Sequence, residues 1–152
     1  MAKMTIIFDG FEKMAAQLDE MGKELKPAVN EALEETQKYV QQNLEAATQA
    51  YASPNKGRRG WAKGYMYDAI IKDATVDWAG SVATVKVGFS SQNKLGFMHS
   101  IFVMYGVPRH GKFNKGYAKD AGIYNAIRGT RTRNQIKKLQ KEIMEKHLQL
   151  GR

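Results

Sequence analysis

A run of regularly spaced apolar residues between positions 27 and 51 constrains the fold more than any other feature. Its members recur at steps of three and four: Val29, Leu33, Thr36, Val40, Leu44, Ala47 and Tyr51. This spacing predicts a narrow stripe along a helix about 37 Å long. Pro27 disfavours helical geometry in the residue before it, so we expect a break or kink near Lys26 and Pro27 in the first turn. The stripe is expected either to cover the core of its own domain or to pack on another subunit.

Two further elements are predicted before this helix. Residues 4–8, MTIIF, have the pattern of a short apolar strand. Asp9 and Glu12 have the spacing of a capping box, which predicts that a first helix begins near Gly10. Its apolar positions again recur at steps of three and four: Phe11, Met14, Leu18, Met21 and Leu25. One face of this helix is therefore expected to be buried.

The middle of the chain has the pattern of a β-hairpin. Within residues 70–89, the apolar positions 83, 85, 87 and 89 alternate with Val82, Thr84 and Lys86. This alternation predicts a strand that is joined to the preceding one by a turn near Asp77 to Gly80. The aromatic segment FMHSIFVMYG, residues 97–106, predicts either a buried strand or a short helix, and periodicity does not choose between them.

The C-terminal part predicts two helices, one over residues 120–127 that ends at Gly129 and one over residues 130–150. The second has an apolar stripe: Ile136, Leu139, Ile143, Met144 and Leu148. The order of elements predicts an α+β fold, in which the long N-terminal helix, kinked near Pro27, and the C-terminal helix pack on a small, mainly antiparallel sheet. A length of 152 residues fits one domain with a single core, residues 1–152.

Composition excludes several classes of chemistry. The chain has no cysteine, so disulfides, thiolate metal sites and a cysteine nucleophile are excluded. The opening sequence lacks the apolar stretch of a signal peptide, and no later run approaches a membrane span of roughly 20 apolar residues. We therefore expect a protein made in the cytoplasm, with no membrane partner.

Neither the histidines nor the acidic residues have the spacing of a reactive site. The three histidines are far apart and predict no metal site: His99, His110 and His147. His99 is expected to be partly buried beside aromatic residues, and the other two to lie on the solvated surface. Asp68, Asp73 and Asp77 are best interpreted as solvent-facing carboxylates, with residues 73 and 77 on one strand face. The sequence therefore predicts no catalytic residue, no cofactor and no metal, and the protein is not expected to be an enzyme.

The charge of the chain is divided unevenly. Residues 1–52 hold five Lys and nine acidic residues, a net charge of −4, whereas residues 53–152 hold nineteen Lys or Arg and six acidic residues, a net charge of +13. Such a division predicts a protein that binds copies of itself, neighbouring proteins or a polyanion. We expect the acidic and basic ends to form two complementary faces of a subunit.

The contacts are expected in two basic, glycine-punctuated loops, residues 53–64 and 108–118, and on the long helix. The candidate contact residues are Arg58, Arg59, Trp61 and Lys63 in the first loop, Arg109, Lys112 and Lys115 in the second, and Glu31, Glu34 and Glu35 on the helix. Cations with nearby aromatic residues suit contact with phosphates and bases. They suit an acidic protein neighbour as well, and this second interpretation is preferred.

Three segments of the chain, in this order, have the pattern of a known family. They are GYMYDAI at Gly64–Ile70, VKVGF at Val85–Phe89 and HSIFVMYG at His99–Gly106, between an N-terminal amphipathic helix pair and a C-terminal helix. In this respect the sequence resembles the tail-component proteins of long-tailed bacteriophages.

The resemblance implies a structural virion protein at the neck that joins or completes the tail at the head–tail interface. Such proteins form a ring, here expected to have six subunits, with DNA passing through the lumen, and related proteins terminate the tail tube. The implied partners are further copies, other phage neck and tail proteins, and DNA without sequence specificity. Synthesis in the host bacterial cytoplasm would precede assembly into the virion. The alternative is a stand-alone basic nucleic-acid-binding protein without sequence specificity.

Overall fold

Helix α1 (Leu25–Thr48) is the long rod that the sequence predicts, and a 3-10 turn, Gln49–Tyr51, continues it. The computed structural model describes residues 3–7, 16–17, 20, 25–52, 64–80, 82–109, 116 and 118–149. Pro27 lies in the first turn of α1, as predicted. The expected kink falls at the edge of the described residues, and the predicted helix from Gly10 lies almost wholly outside them.

Three antiparallel strands form the sheet: β1 (Lys3–Ile7), β2 (Val76–Ala79) and β3 (Val82–Gly88). The strand order is β1-β3-β2, with Thr5 opposite Lys86 and Asp77 opposite Thr84. Gly80 has a φ of 63°, a left-handed conformation that favours glycine, and it begins the turn between β2 and β3. The predicted strand and hairpin are confirmed.

The apolar stripe of α1 packs on β3 and forms the core. Leu33, Val40 and Leu44 are fully buried and belong to one cluster with Val85 and Phe89. On β3, alternate side chains point into this cluster, which explains the period-two pattern of the sequence. The long helix therefore covers the core of its own domain, which decides between the two expectations for its stripe.

Two further helices pack against each other, one before β2 in the chain and one after β3. Helix α2 (Tyr65–Asp68) is a single turn, and helix α3 (Lys94–Tyr105) packs against it. The aromatic segment that the sequence left open is therefore helical. Its length of 12 residues exceeds the usual length of a buried strand.

The last two helices complete the fold beside α1. Helix α4 (Ala121–Arg128) is capped by Asp120, whose Oδ1 accepts hydrogen bonds from the Gly122 and Ile123 amides at 2.9 and 3.4 Å. Helix α5 (Thr130–Gln149) packs mainly along α1. Gln140 of α5 donates a hydrogen bond to the Thr36 hydroxyl across this contact. The α+β class is confirmed, and α1 lies between α5 and the sheet.

Candidate assembly surface

Helix α3 carries an apolar surface that the described part of the chain leaves exposed. The side chains that form it are Leu95 (55% exposed), Met98 (51%), Phe102 (41%) and Tyr105 (51%). At 100° per residue, these four positions fall within an arc of about 80° on the helix. We call them the α3 face. Contiguous exposed apolar side chains of this size are typical of interaction sites.

The opposite side of α3 is fixed to the fold. Its buried residues are Gly96, Ser100, Val103 and Met104. A Cβ at Gly96 would collide with the Tyr65 carbonyl oxygen and lie 2.5 Å from the Ala69 Cβ, so α2 and α3 approach more closely than any other residue permits. The Asn93 side chain accepts a hydrogen bond from the Gly96 amide at 3.1 Å and caps the helix. The α3 face is therefore presented on an anchored element.

Sequence reasoning missed the α3 face because it left the aromatic segment undecided between strand and helix. In a strand, Leu95 and Tyr105 would point to one side and Met98 and Phe102 to the other, so no single face would exist. Only the helical period brings all four together. Their spacing of three, four and three residues is the signal that could have revealed the face.

Most of the contact residues predicted in the two basic loops lie outside the described residues. This is the case for Arg58, Arg59, Trp61, Lys63, Lys112 and Lys115. Arg109 is described, and it is exposed just beyond the end of α3. The role of both basic loops in contacts stays a prediction.

The three predicted acidic residues lie on α1 with different surroundings. Glu34 is exposed, and Glu35 forms an ion pair with Lys38 at 2.5 Å on the same helix. Glu31 has partners on α5, because its carboxylate oxygens lie 2.6 Å from His147 Nε2 and 3.1 Å from Lys146 Nζ. The hydrogen bond with His147, and then that from Lys146, hold the pKa of Glu31 below its ordinary value. Glu31 therefore already joins two helices of its own chain.

These contacts correct the expected arrangement of charge. The sequence predicted an acidic end opposite a basic end, but the acidic α1 and the basic α5 lie side by side. Glu31 contacts Lys146 and Thr36 contacts Gln140, so the two helices run antiparallel. Part of the opposite charge is thus used within the fold, between α1 and α5.

The start of α5 carries a basic surface that sequence reasoning did not single out. Residues 121–141 contain six Lys or Arg and no acidic residue. Arg131, Arg133 and Lys137 are exposed and have no ion-pair partner among the described residues. Further along, Lys138 and Lys141 form weak i,i+4 pairs with acidic residues at 3.8 and 3.7 Å. The unpaired half of α5 can attract a polyanion.

The described residues contain no cluster of three His, Asp or Glu side chains that could hold a metal ion. Asp77 forms an ion pair with Lys86 at 3.3 Å, whereas Asp73 precedes β2, so the prediction that both share a strand face was wrong. A groove of about 630 Å³ between α1 and the α4–α5 junction is lined without any acidic residue or histidine. Nothing in this groove resembles a catalytic pair.

The histidine predictions have mixed outcomes. His99 is half-buried with its ring centroid 5.8 Å from that of Tyr65, as predicted. His147 was wrongly predicted to be solvated, because its side chain is 25% exposed and contacts Glu31. Its position in the last turn of α5 brings it over α1, which sequence spacing alone does not reveal. His110 lies outside the described residues.

In the part of the chain that the structure describes, no helix is long and apolar enough to cross a membrane. Comparison of the chain with protein-family models, with curated proteins and with solved structures gives no significant match.

Proposed function

We propose that this protein is a structural virion subunit of a tailed bacteriophage, which forms a ring at the neck. The observation that carries the proposal is the α3 face, because four large apolar side chains exposed together on one anchored helix are typical of a protein-interaction surface. The segments HSIFVMYG and GYMYDAI, which resemble tail-component proteins, form the contacting helices α3 and α2. HSIFVMYG supplies Phe102 and Tyr105 of the α3 face, and GYMYDAI packs against the buried side of the same helix.

Under this proposal the ring joins or completes the tail at the head–tail interface, and DNA passes through its lumen. Its partners are further copies of the chain, about six in a ring, and other neck and tail proteins. The basic residues at 58, 59, 63, 109, 112 and 115 then contact an acidic neighbour or the DNA backbone. A modest attraction to phosphates guides a duplex without reading its sequence.

Electron microscopy tests the proposal directly. Negatively stained purified protein should show rings with a central channel, and gold-labelled antibody should bind phage particles at the head–tail junction. Antibody against the phage's major capsid protein serves as the control, since it should label the head. Particles that contain no copy of this chain would contradict the proposal.

The basic half of α5 favours a second candidate, a stand-alone nucleic-acid-binding protein without sequence specificity. Arg131, Arg133 and Lys137 would contact phosphates, so affinity for a random DNA duplex should fall steeply as salt rises. Arg131→Gln with Arg133→Gln should reduce that salt dependence by about two phosphate contacts. Lys26→Gln with Lys72→Gln, on other surfaces, is the matched control. Tight binding by the monomer, together with absence from virions, would favour this candidate over the ring.

A further inference from the structure

We propose that the α3 face pairs with the α3 face of a second copy, with the two helices antiparallel. This inference goes beyond the proposed ring, because it gives α3 a two-fold contact that pairs two subunits and does not itself close the ring. Among the described residues, the four side chains of the α3 face and Val82 are the large apolar side chains with major exposure. Val82 is a single residue on β3, so the described surface offers the α3 face no larger apolar partner than another α3 face.

The spacing of the face specifies a helix as its partner. Apolar side chains separated by three, four and three residues form the seam along which two helices pack at a small crossing angle. In an antiparallel pair related by a two-fold axis near Ser100, Leu95 meets Tyr105 of the other copy and Met98 meets its Phe102. The larger aromatic side chain then packs on the smaller aliphatic one in each layer.

Charge selects the antiparallel orientation. Lys94 is the only Lys, Arg, Asp or Glu in α3, and it lies exposed in the first turn, where a cation opposes the helix dipole. In a parallel pair, two Lys94 side chains would lie together. In an antiparallel pair, each lies beside the last turn of the other α3, where a cation is favourable. Lys94 is thus unfavourable for α3 in a single copy and favourable in the antiparallel pair.

The geometry also limits how the pair assembles. Helix α3 has 12 residues and is about 18 Å long, so this contact alone is smaller than the standard interface of about 800 Å² per partner. We therefore expect pairing to depend on protein concentration. An α3-on-α3 contact is isologous and is saturated by two copies, so closure of a ring uses a different surface of each subunit.

Cysteine cross-linking tests the pairing, because the chain has no natural cysteine. Leu95→Cys and Tyr105→Cys are prepared separately in the full chain, with an affinity tag on one of them, and are mixed and mildly oxidised. The mixed disulfide dimer should be the main product, whereas Leu95→Cys alone should cross-link little. Ser91→Cys, at an exposed position just before α3, should give no mixed dimer with Tyr105→Cys. Cross-linking of Leu95→Cys to itself, or no mixed dimer, would overturn the inference.

Lys94→Glu gives an independent test whose two effects have opposite signs. An acidic residue in the first turn of α3 stabilises that helix, so the melting temperature of the dilute monomer should rise slightly. The same change removes the cation from the last turn of the partner, so the dimer should weaken by about threefold or more. Unchanged or tighter pairing would overturn the antiparallel arrangement.

The two proposals fail separately. If the mixed disulfide is absent but rings form and virions carry the chain, the α3 pairing is wrong and the neck function stands. If the mixed disulfide forms but virions lack the chain, the pairing stands and the neck function is wrong. If the protein stays monomeric and Met98→Glu lowers the melting temperature as a core substitution does, the α3 face is covered within its own chain, which overturns the pairing.

Discussion

Helices α1 and α3 both carry an apolar stripe, but the fold treats the two stripes differently. The stripe of α1 is buried by β3, α4 and α5, and Leu33 and Leu44 are inaccessible to solvent. Helix α3 buries one side against α2 and α4 and leaves Leu95 and Met98 more than half exposed on the other. The first helix therefore stabilises the domain, whereas the second also offers a surface to a partner. Similar spacing in the sequence serves two purposes, and only the surrounding elements distinguish them.

The largest effect should come from shortening the same side chain in each stripe. Leu33→Ala should lower the free energy of unfolding by about 2–5 kcal/mol, because it opens a cavity under β3. Leu95→Ala is the matched control, and in dilute protein it should change stability by no more than about 0.5 kcal/mol. Urea denaturation measures both. Equal losses of unfolding free energy would show that Leu95 is as buried as Leu33 and would contradict the difference between the two stripes.

A side chain at position 96, where α2 and α3 pack most closely, should have the next largest effect on the free energy of unfolding. Gly96→Ala places a methyl group against the Tyr65 carbonyl and the Ala69 side chain, so α3 must shift away from α2. We expect a destabilisation of about 1–3 kcal/mol, as for overpacked sites. Gly122→Ala in α4 is the milder comparison, because the added methyl meets only Asp120 Oδ1 at 3.1 Å and needs a shift of a few tenths of an ångström, not a movement of the backbone. A stable Gly96→Ala variant would mean that α3 is loosely held.

Asp120 joins the turn that follows α1 to the start of α4. Its Oδ2 accepts a hydrogen bond from the Tyr51 hydroxyl at 2.8 Å, and its Oδ1 caps α4. Asp120→Ala removes both interactions and should cost about 1–2 kcal/mol. Asp77→Ala, which breaks an exposed ion pair on the hairpin, should cost less than about 0.5 kcal/mol. Thermal denaturation should rank the two variants in this order, and the reverse order would contradict the assigned roles.

The smallest effect is expected at the contact between α1 and α5. Glu31→Gln should destabilise the protein by less than about 1 kcal/mol at pH 7, since the pair is partly exposed and water screens it. Because the folded-state pKa of Glu31 is lowered, its contribution is present above the ordinary value of 4.5 and is lost as the pH falls through the folded-state pKa. The difference in urea midpoint between the wild type and Glu31→Gln should therefore shrink as the pH is lowered from 7 into the acid range. Glu34→Gln should show no such change with pH, because its urea midpoint should already equal that of the wild type at pH 7.

Local signals in the sequence sufficed for most of the fold. The stripe of α1, the alternation of β3 and the break at Gly129 each depend on neighbours within a few residues, so the elements were predictable. Which elements pack against each other was harder to predict. That α5 packs on α1 and carries His147 to Glu31 depends on contacts between residues 116 positions apart, which no local pattern encodes.

The candidate site was harder to predict than the fold, for a physical reason. The α3 face exists only when α3 is helical, and a short apolar segment has no polar side to reveal its period. Prediction from charge emphasised loops and acidic residues instead, and Glu31 proved to be satisfied within its own chain. Opposite charges distant in sequence can neutralise one another in space, so charge counts along a chain do not locate its interfaces.

Sedimentation equilibrium over a range of concentrations, comparing the wild type with Met98→Glu/Phe102→Glu, tests most directly whether the α3 face binds another copy. The wild type should show a mass above that of the 17.1 kDa chain that rises with concentration. The double variant should show a lower mass than the wild type at each concentration, with an unchanged melting temperature, because both side chains lie outside the core. A wild type that remains monomeric at every concentration, or a variant that assembles as well as the wild type, would contradict this account.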